Sequence, residues 1–213
     1  MNPYLDDIEQ QRLRQQISQY YRLHSRIYDS TRWTFLFGRK YLIAEADRKI
    51  RNPERITEFG SGTGKNLLLL AKHFPTAMLT GIDLSAEMLL ISKRKTHSIK
   101  SKLNLVSGMD FSCLQEMQDL IIFSYCLSMI NPGWRHVIVD ALSMLKPGGI
   151  IAVVDFHASP LGLYRSFMHR NHVSLSAEIY PFLKQHTNTL HEQKHSAYFG
   201  TWSYFTYLGT RKT

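Results

Sequence analysis

Arg55-Ile56-Thr57-Glu58-Phe59-Gly60-Ser61-Gly62-Thr63-Gly64-Lys65-Asn66 is the stretch around which the chain is organised. A β-branched and aromatic run ends in three alternate glycines, and Leu67-Leu68-Leu69-Leu70 opens a helix directly after them. A strand, a tight turn and a helix N-terminus follow without a gap. Glycines let backbone approach a ligand, and a helix N-terminus offers unpaired N–H groups to something negative or polar. A Walker A loop requires G-x-x-x-x-G-K-[ST]. Counted back from Gly64-Lys65, Phe59 stands where the first glycine belongs and Asn66 replaces the magnesium-binding hydroxyl. A dinucleotide fingerprint requires G-x-G-x-x-G, and the third glycine comes one residue early. A glycine-rich turn with no ligand is the plain alternative.

The chain has 213 residues, 44% of them hydrophobic and 12% aromatic, which suits one globular domain with a full core. Cys113 and Cys126 have no metal-ligand spacing and read as small buried hydrophobes of a reducing compartment. Residues 1–7 are acidic and lack a basic segment followed by an apolar core, so no secretory signal is expected. No run approaches the roughly 18 apolar residues of a membrane span. A soluble cytoplasmic protein is the expectation. Net charge is +9 and uneven: residues 1–52 carry ten Lys/Arg against six acids, and residues 156–213 carry six against two. Lys93, Arg94, Lys95, Lys100 and Lys102 add a further basic segment. Such surfaces favour anionic partners such as lipid headgroups, nucleic acid or acidic proteins, while a solubilising charge excess is the bland alternative.

Over residues 4–28 apolar side chains recur near helical spacing, with Arg12, Arg14, Arg22 and Arg26 interleaved. Such a helix can lie on an anionic membrane, cap a ligand cleft, or simply pack on the domain. The stretch 28–39 is dense in aromatics and arginine, suited to holding a cationic group or a carboxylate, or to packing the cap on the core.

From Pro53 an α/β pattern begins. Strands are predicted at 56–59, 77–83, 103–106, 120–125 and 150–155, with helices at 67–74, from 84 onward with Ser85 as N-cap, and at 134–145. Lys146-Pro147-Gly148-Gly149 reads as the turn into the fifth strand, and residues 194–211 alternate like an antiparallel hairpin. The unbroken apolar run Leu120-Ile121-Ile122-Phe123 suits a parallel strand covered on both faces. Asp83 ends the second strand 19 residues after Gly64, where adenosine-binding α/β folds place an acid against the ribose hydroxyls.

Glu58-x-Gly60-x-Gly62-x-Gly64, Gly81-Ile82-Asp83-Leu84-Ser85, Asp110 after the third strand and Leu145-Lys146-Pro147-Gly148-Gly149 stand in the order that resembles class I S-adenosylmethionine-dependent methyltransferases. The resemblance covers most of residues 53–155. It implies an α/β, Rossmann-like, doubly wound seven-stranded sheet with an antiparallel C-terminal hairpin. Residues 1–52 would form a helical cap, 53–155 the cofactor-binding core, and 156–213 a substrate-side helix and the closing hairpin of one domain. The cofactor implied is S-adenosyl-L-methionine. Gly60, Ser61, Gly62 and Gly64 would shape its loop, Asp83 would hold the ribose with Leu84 and Met88 beside it, and Asp110 and Phe111 would lie near the adenine. Ser124 and Tyr125 would flank the reacting methyl, and Glu58 would orient the loop or meet the amino end of the methionine moiety. For Asp110 a turn-capping role is the ordinary alternative.

The flanks narrow the resemblance. Tyr20-Tyr21-x-Leu23-His24-x-x-Ile27-Tyr28-Asp29-x-Thr31-Arg32 with Gly38-Arg39, then Ser124-Tyr125-Cys126-Leu127-Ser128-Met129-Ile130 with Pro132 and Trp134, and Val154-Asp155-Phe156, look like bacterial betaine-lipid N-methyltransferases. Those enzymes methylate the amino group of diacylglyceryl-homoserine three times. Asn131 and His157 depart from that pattern and touch the shape of the substrate pocket. The resemblance implies Tyr125 and Tyr28 at the reacting amine, Tyr20, Trp33 and Arg39 at the substrate, and Arg32 or Arg39 on a carboxylate. The partners it implies are an amino-lipid, an anionic membrane surface met peripherally on the cytoplasmic side, and an aminocarboxypropyl-transferase on another chain. Phosphatidylethanolamine or a quinone ring are alternative acceptors. No nucleic-acid partner is expected, because no separate RNA-binding motif is present. His169 with His172, and His191 with His195, lack a third ligand, and no metal is expected.

Overall fold

The structure, a computed structural model, describes residues 36–108, 114, 117–131, 133–175 and 177–212. The N-terminal helix expected over residues 4–28 and most of the aromatic-arginine stretch lie outside those residues. Helix α1 (Arg39–Lys49) leads into β1 (Arg55–Phe59), α2 (Lys65–His73), β2 (Met78–Asp83), α3 (Ala86–Lys95), β3 (Leu103–Ser107) and β4 (Gln118–Ser124). Then follow α4 (Trp134–Ser143), β5 (Leu145–Ala158), α5 (Gly162–Arg170), α6 (Ile179–His186), β6 (Thr187–Ala197) and β7 (Trp202–Arg211). The seven strands lie in the order β3-β2-β1-β4-β5-β7-β6. β1 to β5 are mutually parallel, and β7 runs antiparallel between β5 and β6. The doubly wound sheet and its C-terminal hairpin are therefore as the sequence predicted.

Alternation along the central strands splits the core into two layers. Ile56, Leu120, Ile122, Ile150, Ala152, Val154 and Leu208 face α1 and α2, burying Leu42, Ile43, Ala46, Leu67 and Leu70. Ile121, Phe123, Ile151, Val153, Phe205 and Tyr207 face α4 and α6, burying Ile138, Ala141, Ile179 and Leu183. Removing such side chains from water supplies roughly 1.5–3 kcal/mol each, and this is why the strands read as unbroken apolar runs. Ser85 caps α3 as predicted, its hydroxyl accepting from the Met88 N–H at 3.2 Å.

The largest differences from the sequence reading are at the starts of β5 and β6. Helix α4 ends at Ser143, and β5 starts at Leu145, so Lys146-Pro147-Gly148-Gly149 lies inside the strand. There the pairing shifts register between Gln118 and Leu120, with Gly148 at φ 77° and a Cβ on Gly149 only 3.0 Å from the Gln118 carbonyl. The glycines make a bulge rather than a separate turn. β6 begins at Thr187 rather than Lys194, because its first turn-side residues are polar and largely exposed and carry no apolar alternation.

Candidate active site

The cofactor loop, the end of β2 and the segment after β4 all emerge at one edge of the sheet, the carboxyl ends of the parallel strands. Gly60 and Gly64 sit at φ 68° and 78°; a Cβ at Gly60 would lie 2.6 Å from Cys126 Sγ, and one at Gly64 2.4 Å from Ser92 Oγ. Both positions therefore demand glycine by conformation and by space. Gly62 is different: the nearest atom to its Cβ position is the Gly60 carbonyl at 4.0 Å, so the loop's middle faces open space.

Asp83 fastens this loop. Its Oδ2 accepts from the Gly62 N–H at 2.7 Å and its Oδ1 from the Ser85 N–H at 2.9 Å. Burial pushes its pKa up, against the hydrogen bonds from Ser85, Gly62 and Leu84. Glu58, at the end of β1, is buried, and its Oε1 accepts from Asn66 Nδ2 at 2.7 Å. Burial raises its pKa to about 8 against the Asn66 hydrogen bond and the Arg39 charge. Its Oε2 has no partner among the described residues, nor do the buried hydroxyls of Ser61 and Ser124. A buried carboxylate oxygen and two hydroxyls left open beside a space above Gly62 fit a ligand that brings its own cationic and polar groups. S-adenosylmethionine is such a ligand.

Tyr125 follows β4 with φ 55° and is buried. Its hydroxyl donates to the Phe37 carbonyl at 2.9 Å, tying the segment after β4 to the residues that lead into α1. Burial, then Asp155, hold the phenol pKa well above its ordinary value, so it stays neutral. Asp155 is buried on β5, accepts from the Ser128 N–H at 3.2 Å and the Phe156 N–H at 2.8 Å, and is raised by burial to about 6. Tyr125 packs at the margin of a largely buried aromatic cluster: Phe156 meets it edge-on at 4.7 Å, Trp202 meets Phe156 at 5.1 Å, and half-buried Phe37 stacks on Trp202 at 5.9 Å.

The structure thus brings Glu58, Gly60, Ser61, Gly62, Gly64, Asp83, Ser124 and Tyr125 to one edge. Arg39 joins them from the start of α1: its Nε donates to the Leu36 carbonyl at 3.3 Å, and its charge reaches Glu58 and Tyr125. Leu84 is half-buried after Asp83, and Met88 is fully buried on α3. Tyr20, Tyr28, Arg32, Trp33, Asp110 and Phe111 lie outside the described residues. Sequence reasoning treated Asn66 only as a missing hydroxyl and overlooked it as the partner of Glu58. It also missed the contact of Cys126 with Gly60; burial pushes that thiol well above its ordinary pKa. His191 and His195 share one face of β6, each ring nitrogen near Thr206 Oγ1 at 3.4 and 3.1 Å. Among the described residues no three His, Cys, Asp or Glu converge on a metal position.

Residues 56–149 match the family described as a methyltransferase domain. Malonyl-[acyl-carrier protein] O-methyltransferase of Priestia megaterium is 29% identical over 136 residues, covering 62% of this chain and 48% of that protein. The chain spans about half the length of the curated relatives it matches. N-methyltransferase NodS of Bradyrhizobium japonicum, solved with S-adenosylhomocysteine, has the same fold: TM-score 0.66, 16% identity, 82% of this chain and 86% of that one. Phosphoethanolamine N-methyltransferase 2 of Haemonchus contortus, solved with phosphomonomethylethanolamine, gives TM-score 0.65 at 13% identity, over 83% of this chain and 53% of that one.

Proposed function

We propose that this chain, whose residues 56–149 match a methyltransferase-domain family, is a class I S-adenosylmethionine-dependent methyltransferase that methylates the amino group of a membrane lipid, foremost diacylglyceryl-homoserine. The observation that carries the amine reading is Tyr125, which follows the unpartnered Ser124 hydroxyl at the carboxyl edge and packs its ring on Phe156 within an aromatic cluster that includes Trp202 and Phe37. Each of the first two methyls costs an N–H donor once the product ammonium returns its proton to solvent, and the third leaves a fixed cation, which aromatic faces tolerate. The lipid, and the choice among lipids, are supported by the betaine-lipid resemblance of residues 20–39 and 124–134.

The bound cofactor supplies an activated methyl on a sulfonium. This chain's part is positioning, from which much of the acceleration of an in-line displacement can come. Glu58 and Ser61 would hold the cofactor's ammonium and polar groups at the open face of Gly62, in the loop that Asp83 fixes. Tyr125 commits its proton to the Phe37 carbonyl, so its oxygen is left as an acceptor for an N–H of the incoming amine. Accepting that hydrogen aims the amine lone pair at the methyl in the first two transfers; the tertiary amine that enters the third has no N–H and is positioned by apolar and aromatic contact alone. Neutral tyrosine is no base, and an α-amino group with a pKa near ~8 sheds its proton to solvent before entering. Arg39 pairs with a carboxylate of substrate or cofactor. Tyr20, Tyr28, Trp33 and Arg32 would complete the amine and carboxylate pockets from the N-terminal segment. An aminocarboxypropyl-transferase on another chain would supply the homoserine headgroup, and the enzyme would work at the cytoplasmic membrane surface as a peripheral protein; no helix among the described residues is long and apolar enough to cross a membrane.

The test is methyl transfer from labelled S-adenosylmethionine in mixed micelles holding diacylglyceryl-homoserine or, separately, phosphatidylethanolamine. A ladder of one, two and three methyls on the homoserine lipid is expected. Label on phosphatidylethanolamine alone would transfer the proposal to that acceptor. Label on neither, with S-adenosylhomocysteine still bound, would remove the lipid reading. Relatives named demethylmenaquinone methyltransferase favour a quinone ring as the second reading, tested in the same assay.

A further inference from the structure

The same edge of the sheet that holds the cofactor loop also carries an outward apolar surface that no catalytic role uses. β5 ends at Ala158 and passes through Leu161 into α5; opposite it, β6 and β7 meet in the turn Tyr198–Gly200, because Ala158 pairs with Ser203. The two features are tied together: Ser159 Oγ donates to the Thr201 carbonyl at 2.6 Å, and Arg165 Nη1 donates to the Ser159 and Pro160 carbonyls.

On this surface Leu163 is 90% exposed, Phe199 is fully exposed, and Leu161, Phe167 and Tyr198 are about half exposed. Tyr198 and Phe199 both hold left-handed backbone, φ 47° and 54°. Bulky residues seldom adopt that region, and holding it is strained. Water offers nothing for a Phe presented in this way, whereas an apolar phase does. The charge around the patch is of one sign. Residues 156–177 contain no acid but Arg165 and Arg170, and residues 193–213 contain no acid but Lys194, Arg211 and Lys212. Between α5 and the segment after it lies an open cleft of about 470 Å³ in which Arg165 and Arg170, donors suited to a phosphate, stand beside Val173 and Leu175.

We infer that α5 and the Tyr198–Gly200 turn form the face by which the enzyme docks on an anionic bilayer, Leu163 and Phe199 entering the acyl boundary while Arg165 and Arg170 bind lipid phosphate. Peripheral docking combines buried apolar area with attraction to anionic lipid in this manner. The docked orientation turns the carboxyl edge of the sheet to the membrane, so a lipid amine reaches the cofactor loop without its acyl chains leaving the bilayer. This inference rests on the lipid-amine reading above and specifies its surface.

Sedimentation with phosphatidylglycerol-containing and purely phosphatidylcholine vesicles tests it. Phe199→Ser and Leu163→Ser should each weaken partition roughly tenfold, the scale of withdrawing one large apolar side chain from an apolar phase. Arg165→Gln with Arg170→Gln should abolish the preference for anionic vesicles. S-adenosylhomocysteine affinity should stay at the wild-type value in every variant, and thermal unfolding should do so in Phe199→Ser and Leu163→Ser; Arg170→Gln alone, which leaves the Arg165 hydrogen bonds intact, should still weaken the anionic preference. A Phe199→Trp chain should be quenched by brominated acyl chains, which reads insertion directly. Wild-type partition with all variants binding equally overturns this surface and leaves the lipid reading standing. Vesicle binding by the assigned face, with no label on any amino-lipid, sinks the lipid reading and keeps the surface. Absence of vesicle binding, or self-association lost in Phe199→Ser, assigns the face elsewhere and overturns the inference.

Discussion

The two ends of the parallel strands treat buried charge in opposite ways. At the amino end, Asp119 accepts from the Glu54 and Arg55 N–H groups at 2.9 Å each and pairs with Lys146 at 2.9 Å. Burial alone would raise its pKa, but Lys146, Arg55 and Glu54 together hold it below its ordinary value. At the carboxyl end, burial wins: Glu58, Asp83 and Asp155 are all raised, and Glu58 Oε2, Ser61 Oγ and Ser124 Oγ lack partners among the described residues. A polar group that the fold satisfies by itself is structural. One that the fold buries and leaves short of donors is waiting for a ligand.

The largest effect expected from this contrast is at Asp83. Asp83→Ala frees the Gly62 and Ser85 N–H groups and should raise the dissociation constant of S-adenosylhomocysteine by about 100-fold, as two charged hydrogen bonds suggest; calorimetry reads it. Parity with wild type would break the contrast at its centre. Next, Gly60→Ala puts a methyl against Cys126 Sγ in left-handed backbone. It should destabilise by about 2 kcal/mol in urea unfolding, and Cys126→Gly in the same chain should restore part of the loss.

Glu58 sharpens the comparison through pH. Its folded pKa, about 8, stands above the ordinary carboxyl value of 4.5, so its contribution to stability is full below 4.5 and is lost as pH rises through 8. Glu58→Gln should remove that slope from the ligand-free chain. If Glu58 meets the cofactor ammonium as an ionised group, ligand binding below pH 8 releases a proton. The binding enthalpy should then change with buffer ionisation heat in wild type but not in Glu58→Gln. The smallest effect belongs to the amino end. Asp119→Asn should cost about 1 kcal/mol, in the range of exposed charged pairs, and leave ligand affinity untouched. Because Asp119 is lowered, its contribution stands above the ordinary value of 3.8 and fades as pH falls below it.

Much of this was legible beforehand because each strand signal was local: apolar runs bounded by glycine, and an acid closing β2. Ser85 declared itself as a cap by preceding a helical run. What stayed hidden depended on tertiary pairing. Nothing near Asn66 in sequence says that Glu58 lies 2.7 Å away, and Gly148-Gly149 looks like any turn until Gln118 is placed opposite. The Asp119 clamp joins three segments and has no sequence signature at all. Tyr125 was readable as a residue at the strand end, but the direction of its hydroxyl, toward the Phe37 carbonyl, was not.

The order of the strands has a consequence for how the chain is made. β7 comes last in sequence yet lies inside the sheet, between β5 and β6. While a ribosome has released residues only as far as β6, β5 has β4 on one side and an open ladder of N–H and C=O groups on the other. That edge, Ile150-Ile151-Ala152-Val153-Val154, is apolar and uncharged, the composition most prone to pair with a neighbouring nascent chain. β6, by contrast, carries Glu192, Lys194 and two histidines as an outer edge. Synthesis therefore passes through an interval in which the core of the finished sheet is its sticky margin, and a chaperone that shelters β5 until Trp202–Arg211 emerges would decide the yield of folded enzyme.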